Sequence, residues 1–219
     1  MITNPNDKRQ QEIKKNLAFV YQNQADCTLP LKSNVTASLK LENEEQPLTY
    51  VMFDEQSPDI AKGNVAHKIL ELLDFSKKEQ FAKQVEMMVN SDVITKEQVD
   101  SVNLTRIENA LNNPAFSLIE KCALYREKQF LVSVPANVIL DTASTEPIVV
   151  QGIIDLLAID KEETFVFDYK YSSLDDKSLV VKYKKQLDLY AYAVEKVLKV
   201  KVKKKVIVNL FTGSAVQVD

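Results

Sequence analysis

Gly152-Ile153-Ile154-Asp155-Leu156-Leu157-Ala158-Ile159 and, after a short break, Thr164-Phe165-Val166-Phe167-Asp168-Tyr169-Lys170 decide how this chain folds. Both stretches are rich in β-branched and aromatic residues and read as strands over 148–159 and 164–171. The polar Asp160-Lys161-Glu162-Glu163 between them reads as a hairpin connection. Asp155 interrupts an almost wholly apolar strand, where an uncompensated carboxylate is costly to bury. It must sit at a strand end, be paired, or hold a metal. Strand side chains alternate, so Asp168 and Lys170 project to one face and Tyr169 to the other. If the two strands pair, Asp155 lies across from the Asp168–Lys170 region, opposite Asp168 or Lys170 and not Tyr169. Two carboxylates and an ammonium then converge. Two close carboxylates suit a hard divalent cation such as Mg²⁺. A neighbouring lysine can position or deprotonate a water, or offset developing negative charge. A buried Asp–Lys ion pair with one strand-end Asp has the same spacing, and the residues alone leave both readings open.

Outward from this hairpin, 128–140 reads as a further strand and 206–211 as a last one. Helical spacing appears over 178–198, with Tyr183, Leu187, Tyr190, Val194 and Val197 on one face. On the N-terminal side the pattern predicts helices over 57–75, with Val65, Ile69, Leu72 and Leu73 as its stripe, over 77–89 and over 95–111. Thr95 and Gln98 form a capping box at the start of the third. A short helix follows Pro114, to about residue 124. Residues 8–21 suit a short helix and 22–47 read as loop or extension. Helices, three strands, a helix and a strand make an α/β or α+β sheet with helices packed on it.

Composition removes many alternatives. The chain has 219 residues, 45% of them apolar, enough for one large domain or one domain with an extension. Three glycines cannot supply a Rossmann fingerprint, and no phosphate-binding loop is present. One histidine and two widely spaced cysteines exclude Cys/His zinc fingers, HExxH proteases and a disulfide framework. A reducing cytosol is then the expected compartment, and the Asn34-Val35-Thr36 sequon carries no meaning. No apolar run is long enough to span a membrane, and the polar N-terminus is no signal peptide. A net charge of −3 is unlike a protein that grips nucleic acid unaided. Lys196, Lys199, Lys201, Lys203, Lys204 and Lys205 cluster near the last strand. They could touch phosphate, though a solvated helix end and a lysine-protected strand edge is the plainer reading.

Two more polar residues stand on apolar faces. Gln186 lies between Tyr183 and Tyr190 on the 178–198 helix, and a buried amide needs a partner. His67 lies among apolar neighbours on the 57–75 helix. Either could be a structural residue.

Gly63-x-x-x-His67, Gly152-Ile153-Ile154-Asp155, Asp168-Tyr169-Lys170 and Gln186-Leu187-Asp188-Leu189-Tyr190 stand in the order and rough spacing of the RecB-like branch of the PD-(D/E)xK nuclease superfamily, which the chain resembles. More closely, it resembles the C-terminal nuclease domain of AddA-type (RexA-type) subunits of the bacterial AddAB helicase–nucleases. Residues 29–36 resemble the linking segment ahead of that domain, and Arg126-Glu127-Lys128-Gln129-Phe130 resembles the strand before its first catalytic aspartate. The resemblance implies a restriction-endonuclease-like mixed β-sheet flanked by helices. Residues 1–50 would be an N-terminal extension and 51–219 the nuclease domain, with a helical insertion over 77–124. It also implies that Asp155, Asp168 and Lys170 are catalytic. His67, Asp155, Asp168 and the Tyr169 carbonyl would bind Mg²⁺, or Mn²⁺. Gln186 and Tyr190 would contact DNA or brace the site, and Glu127 is carried over only weakly. Ala61-Lys62 and Tyr171 depart from the family's pattern, which often has Glu-Arg and a threonine or serine there.

The expected function is a Mg²⁺-dependent exonuclease domain that cuts single-stranded DNA during break repair and recombination. Its partners would be DNA, helicase domains of the same parent chain and a second AddB-type subunit, with the isolated domain a cytoplasmic monomer. The alternatives are a non-enzymatic nuclease-like scaffold and a stand-alone phage-type exonuclease. Replacing Asp168 or Lys170 is expected to leave the protein folded, since like charges at a strand end add little to stability.

Overall fold

A computed structural model describes residues 9–10, 12–14, 26, 29–35, 58–161 and 163–219. The described strands are β1 (Lys32–Asn34), β2 (Ala123–Pro135), β3 (Pro147–Ile159), β4 (Thr164–Lys170), β5 (Val202–Asn209) and β6 (Ala215–Val218). The helices are α1 (Pro58–Leu72), α2 (Phe81–Asn90), α3 (Lys96–Ser101), α4 (Leu104–Leu111), α5 (Ala136–Ile139) and α6 (Asp176–Leu198). Two 3₁₀ turns, Phe75–Gln80 and Pro114–Ile119, join the smaller helices.

The strands form one mixed sheet. β3 pairs with β2 along its whole length, antiparallel. On its other side β3 meets two strands in succession. β1 runs parallel to Val149–Gln151, and β4 runs antiparallel from Leu156 to Ile159. β4 continues to β5 in parallel and β5 to β6 antiparallel. Between the end of β1 and the end of β4, the residues from Gly152 to Asp155 have no strand partner on that side. The sheet therefore forks there, and the C-terminal ends of β1 and β4 both point into the gap.

Each face of the sheet buries a different set of helices. One face carries α1, α2 and α4, whose Ile69, Leu70, Phe81, Ile107 and Leu111 pack on Leu156, Phe165, Phe167 and Val208. Burying a side chain such as Phe165 or Phe167 contributes about 1.5–3 kcal/mol. The other face carries α6, whose Leu189, Tyr190, Ala193 and Val194 pack on Val132, Val150, Leu157 and Val166. Asp175 starts α6 by accepting from Ser178 N at 2.8 Å, and Lys199 ends it in the left-handed region at φ 58°.

The α/β class, the mixed sheet and the 148–159/164–171 hairpin agree with the expectation. Several boundaries do not. The 95–111 helix is two helices, because Asn103 leaves the helical region and caps α4 through Arg106 N at 3.2 Å. The Thr95–Gln98 capping box is present. The expected 77–89 helix begins as a 3₁₀ turn, and the helix after Pro114 is a 3₁₀ turn that stops at Ile119. β2 starts at Ala123, five residues before the expected 128, and its end folds into α5. β1 lies within the stretch read as loop, and β6 was not foreseen. Leu72 and Val197, assigned to apolar stripes, are exposed. Of the expected 8–21 helix, Arg9, Gln10 and Glu12, Ile13 and Lys14 are helical; its other residues, most of 22–47 and Cys27 lie outside the described residues.

Candidate active site

The fork in the sheet holds every residue on which the sequence reading converged. The last β3–β4 pair is Leu156 with Phe167, so the next step sets Asp155 beside Asp168. The ladder hydrogen bond is replaced by a side chain: Tyr169 N donates to Asp155 Oδ2 at 2.7 Å. Asp155 is thereby held at the mouth of the gap. Tyr169 packs among the α1-side residues, while Asp168 faces α6.

Across β3 on the other side is Glu127. Arg126 pairs with Leu156 and Lys128 with Ile154, which places Glu127 opposite Asp155, yet these two do not pair. Glu127 has φ 46°, a left-handed backbone inside a strand. For a non-glycine residue this costs about 1–3 kcal/mol, and such residues cluster at functional sites. The facing pattern changes at this rung. Val150 and Ile154 join the α6-side core, whereas beyond the rung Leu157 does so and Leu156 joins the α1-side core.

α1 supplies the third side chain. His67 Nε2 lies 2.9 Å from the Tyr169 carbonyl. A carbonyl only accepts, so Nε2 carries a proton and Nδ1 faces the carboxylates. Nδ1 is 3.6 Å from Asp155 Oδ1 and 3.9 Å from Glu127 Oε1. His67, Glu127 and Asp155 each present a ligand atom within 4.8 Å of the others. Burial works to lower the His67 pKa, but Asp155 and Glu127 outweigh it and leave it raised.

Asp168 is fully buried and belongs to a second, linked cluster. Its Oδ2 lies 2.6 Å from Lys170 Nζ, and its Oδ1 accepts from Gln186 Nε2 at 3.1 Å. Gln186 Nε2 also donates to the Tyr190 hydroxyl at 2.6 Å. Burial, opposed by Lys170 and reinforced by Asp155, pushes the Asp168 carboxyl up to about 6. For Lys170, burial pulls downward, but Asp168 and Asp155 prevail and its pKa is raised. The Lys170 ammonium also sits 4.5 Å from the centre of the Tyr183 ring.

The donor set fits a divalent cation. A metal-binding histidine characteristically donates its second ring N–H to a carbonyl or carboxylate, which aims the other nitrogen at the ion. His67 is arranged in this way through Tyr169. The grouping differs from the expected one in two respects. Glu127, carried weakly, stands in the tight group, while Asp168 stands outside it, both its oxygens engaged by Lys170 and Gln186. The Tyr169 carbonyl, expected as a ligand, is occupied by His67. Tyr183 was missed, although its place one turn before Gln186 on the same helix was a usable signal. Of the lysine run, Lys196 donates to the Ser133 carbonyl at 2.5 Å, and Lys203 and Lys205 pair with Glu163 and Asp188.

A sheet that forks at an Asp, followed on the next strand by Asp-x-Lys, defines a class of protein: the chain belongs to the PD-(D/E)XK nuclease superfamily, which it matches over residues 35–217. Within that class its curated relatives include proteins named as subunits of ATP-dependent helicase/nucleases. That of Clostridium acetobutylicum is 29% identical, over 95% of this chain and 19% of the relative. Those of Thermoanaerobacter sp. (strain X514) and Clostridium novyi are 26% and 28% identical, over 94% and 92% of this chain. The chain spans about a fifth of the length of these relatives. Among the described residues, no helix is long and apolar enough to cross a membrane.

Proposed function

We propose that this chain is a metal-dependent deoxyribonuclease domain that hydrolyses phosphodiesters of single-stranded DNA. One observation carries the reading: His67, Glu127 and Asp155 converge within 4.8 Å at the fork of a PD-(D/E)XK sheet, next to the Asp168–Lys170 pair.

His67 Nδ1, Glu127 and Asp155 would hold the cation, with Asp168 completing the site. When bound, Mg²⁺ or Mn²⁺ would polarise the phosphate and acidify a water. The protein's own groups do the rest. Tyr169 N and the Tyr169 carbonyl fix Asp155 and His67. Gln186, braced by Tyr190, fixes Asp168. Lys170 has a raised pKa and stays an ammonium at neutral pH, so it serves as a hydrogen-bond donor and positive charge. It orients the attacking water or offsets charge on the phosphate oxygens, and it is not the base.

The relatives' names support a wider context. In it the domain works in the cytoplasm as part of a helicase–nuclease, with helicase domains in the same parent chain and a second AddB-type subunit, in double-strand break repair. A motor that feeds DNA into the site is consistent with a net charge of −3. The test is cleavage of single-stranded DNA by the purified chain at low salt with Mg²⁺ or Mn²⁺. Chelator should stop it, and Asp155→Asn should remove it. Equal cleavage by wild type and Asp155→Asn would sink the reading.

A further inference from the structure

Beside His67 and Asp155 lies an open cavity of about 500 Å³. Its residues differ in chemistry from the carboxylate cluster. Asn64 of α1, Gln129 of β2 and Gln151 of β3 bring three exposed amides to it. Phe130, Tyr190 and the half-exposed Ile153 bring apolar surface. Among the described lining residues there is no lysine or arginine.

Gly152 gives this cavity its shape. A Cβ there would come within 2.6 Å of both Phe130 Cζ and Val35 Cγ2. The Phe130 ring therefore lies against bare backbone, and it meets Tyr190 edge-to-face at 5.8 Å. A larger residue would push the ring out of place.

A cavity without a cation is not built for phosphate. Amides that both donate and accept match the edges of nucleobases, and aromatic or aliphatic surfaces match their faces. A nucleotide whose phosphate sits at His67 and Asp155 carries its base within reach of this cavity. A paired base has its hydrogen-bonding edge covered by its partner, so the occupant must be unpaired. We infer that the cavity is a nucleobase subsite that receives the unpaired base next to the scissile phosphate. Phe130 and Ile153 offer its stacking surfaces, and Asn64, Gln129 and Gln151 meet its edge. The inference rests on the nuclease reading of the neighbouring cluster.

The experiment has two arms. In the first, the wild-type chain with Mg²⁺ cuts single-stranded oligonucleotides that carry one abasic residue at successive positions. Removing the base at one position beside the cut bond should slow cleavage about tenfold, the scale of one stacked base. Gln129→Ala with Gln151→Ala, and separately Phe130→Leu, should slow cleavage of intact DNA by a similar factor and abolish the further effect of the abasic residue. The glutamines are exposed and the leucine keeps apolar bulk, so these variants stay folded. Cleavage that is equally fast at every abasic position overturns the subsite and leaves the nuclease reading standing. In the second arm, a short oligonucleotide containing 2-aminopurine is titrated with Mg²⁺ present. A fluorescence change that Phe130→Leu and the double glutamine variant both reduce supports the subsite. If the wild type fails to cut, the nuclease reading fails, and an unchanged fluorescence signal then overturns the subsite as well.

Discussion

Glu127 faces Asp155 across the β2–β3 ladder without pairing to it, and Glu127 holds a left-handed backbone with φ 46°. Two carboxylates opposed on neighbouring strands repel each other, and the backbone beneath one of them is strained. Both costs are borne at the place where a divalent cation would bind.

Glu127→Gly therefore separates stability from function. Glycine accepts positive φ freely, and the substitution removes one of the opposed charges. The metal-free protein should gain about 1 kcal/mol, a rise in Tm of roughly 2–4 °C for a chain of this size. Mg²⁺-dependent cleavage should fall by at least about tenfold, since losing even a supporting group around a metal costs 10–100-fold. A thermal melt without metal and a cleavage assay read the two effects. A variant less stable than wild type would show that the left-handed residue is not strained.

Lys170→Ala should both inactivate and destabilise. The expectation from sequence was that the cluster adds little to stability. The structure revises it, because Asp168 is wholly buried with Lys170 Nζ at 2.6 Å. Removing one partner of a buried pair strands the other, at about 3–5 kcal/mol. Lys170 is not a metal ligand, so Mn²⁺ binding by calorimetry should survive in the folded variant. Urea melts matching those of wild type would contradict this account.

The same cluster sets a pH dependence. The Asp168 carboxyl is raised to about 6. Its folded pKa exceeds the unfolded one, so it favours the metal-free fold at low pH, and that contribution is lost as pH rises from about 4 to about 6. His67 is also raised; its contribution is present below about 6.5 and lost as pH climbs through its folded pKa. Both groups release protons in the range where a cation gains access to them. The Tm increase caused by millimolar Mg²⁺ should therefore be small near pH 5 and larger near pH 8. An increase independent of pH would mean the ion binds elsewhere.

The two motif glycines should respond in opposite ways. Gly152→Ala drives a Cβ into Phe130 and Val35 at 2.6 Å and should cost about 1–3 kcal/mol through overpacking. Gly63→Ala meets only Tyr171 Cβ at 4.0 Å and lies inside α1, where alanine is favoured by about 0.5–1 kcal/mol. Chemical denaturation of the two variants checks the contrast.

The sequence by itself determined what depends on local pattern. Period-two runs marked β3 and β4, and the alternation within Asp168-Tyr169-Lys170 sent the carboxylate and ammonium to the α6 face and the tyrosine ring to the other. Motif order joined residues as far apart as His67 and Gln186, because a family's motifs preserve the outcome of folding without describing it. Only the tertiary structure decided which groups meet. Gln186 could have bonded to any backbone group, and it bonds to Asp168 because α6 crosses β4 at that height. β1 is three residues long, too short to show a period, and exists because β3 extends past the end of β4 and leaves an edge to pair with. Glu127 looked like an ordinary strand residue. Its left-handed turn depends on the long-range register that sets it against Asp155 and under His67, and no window of neighbouring residues contains that information.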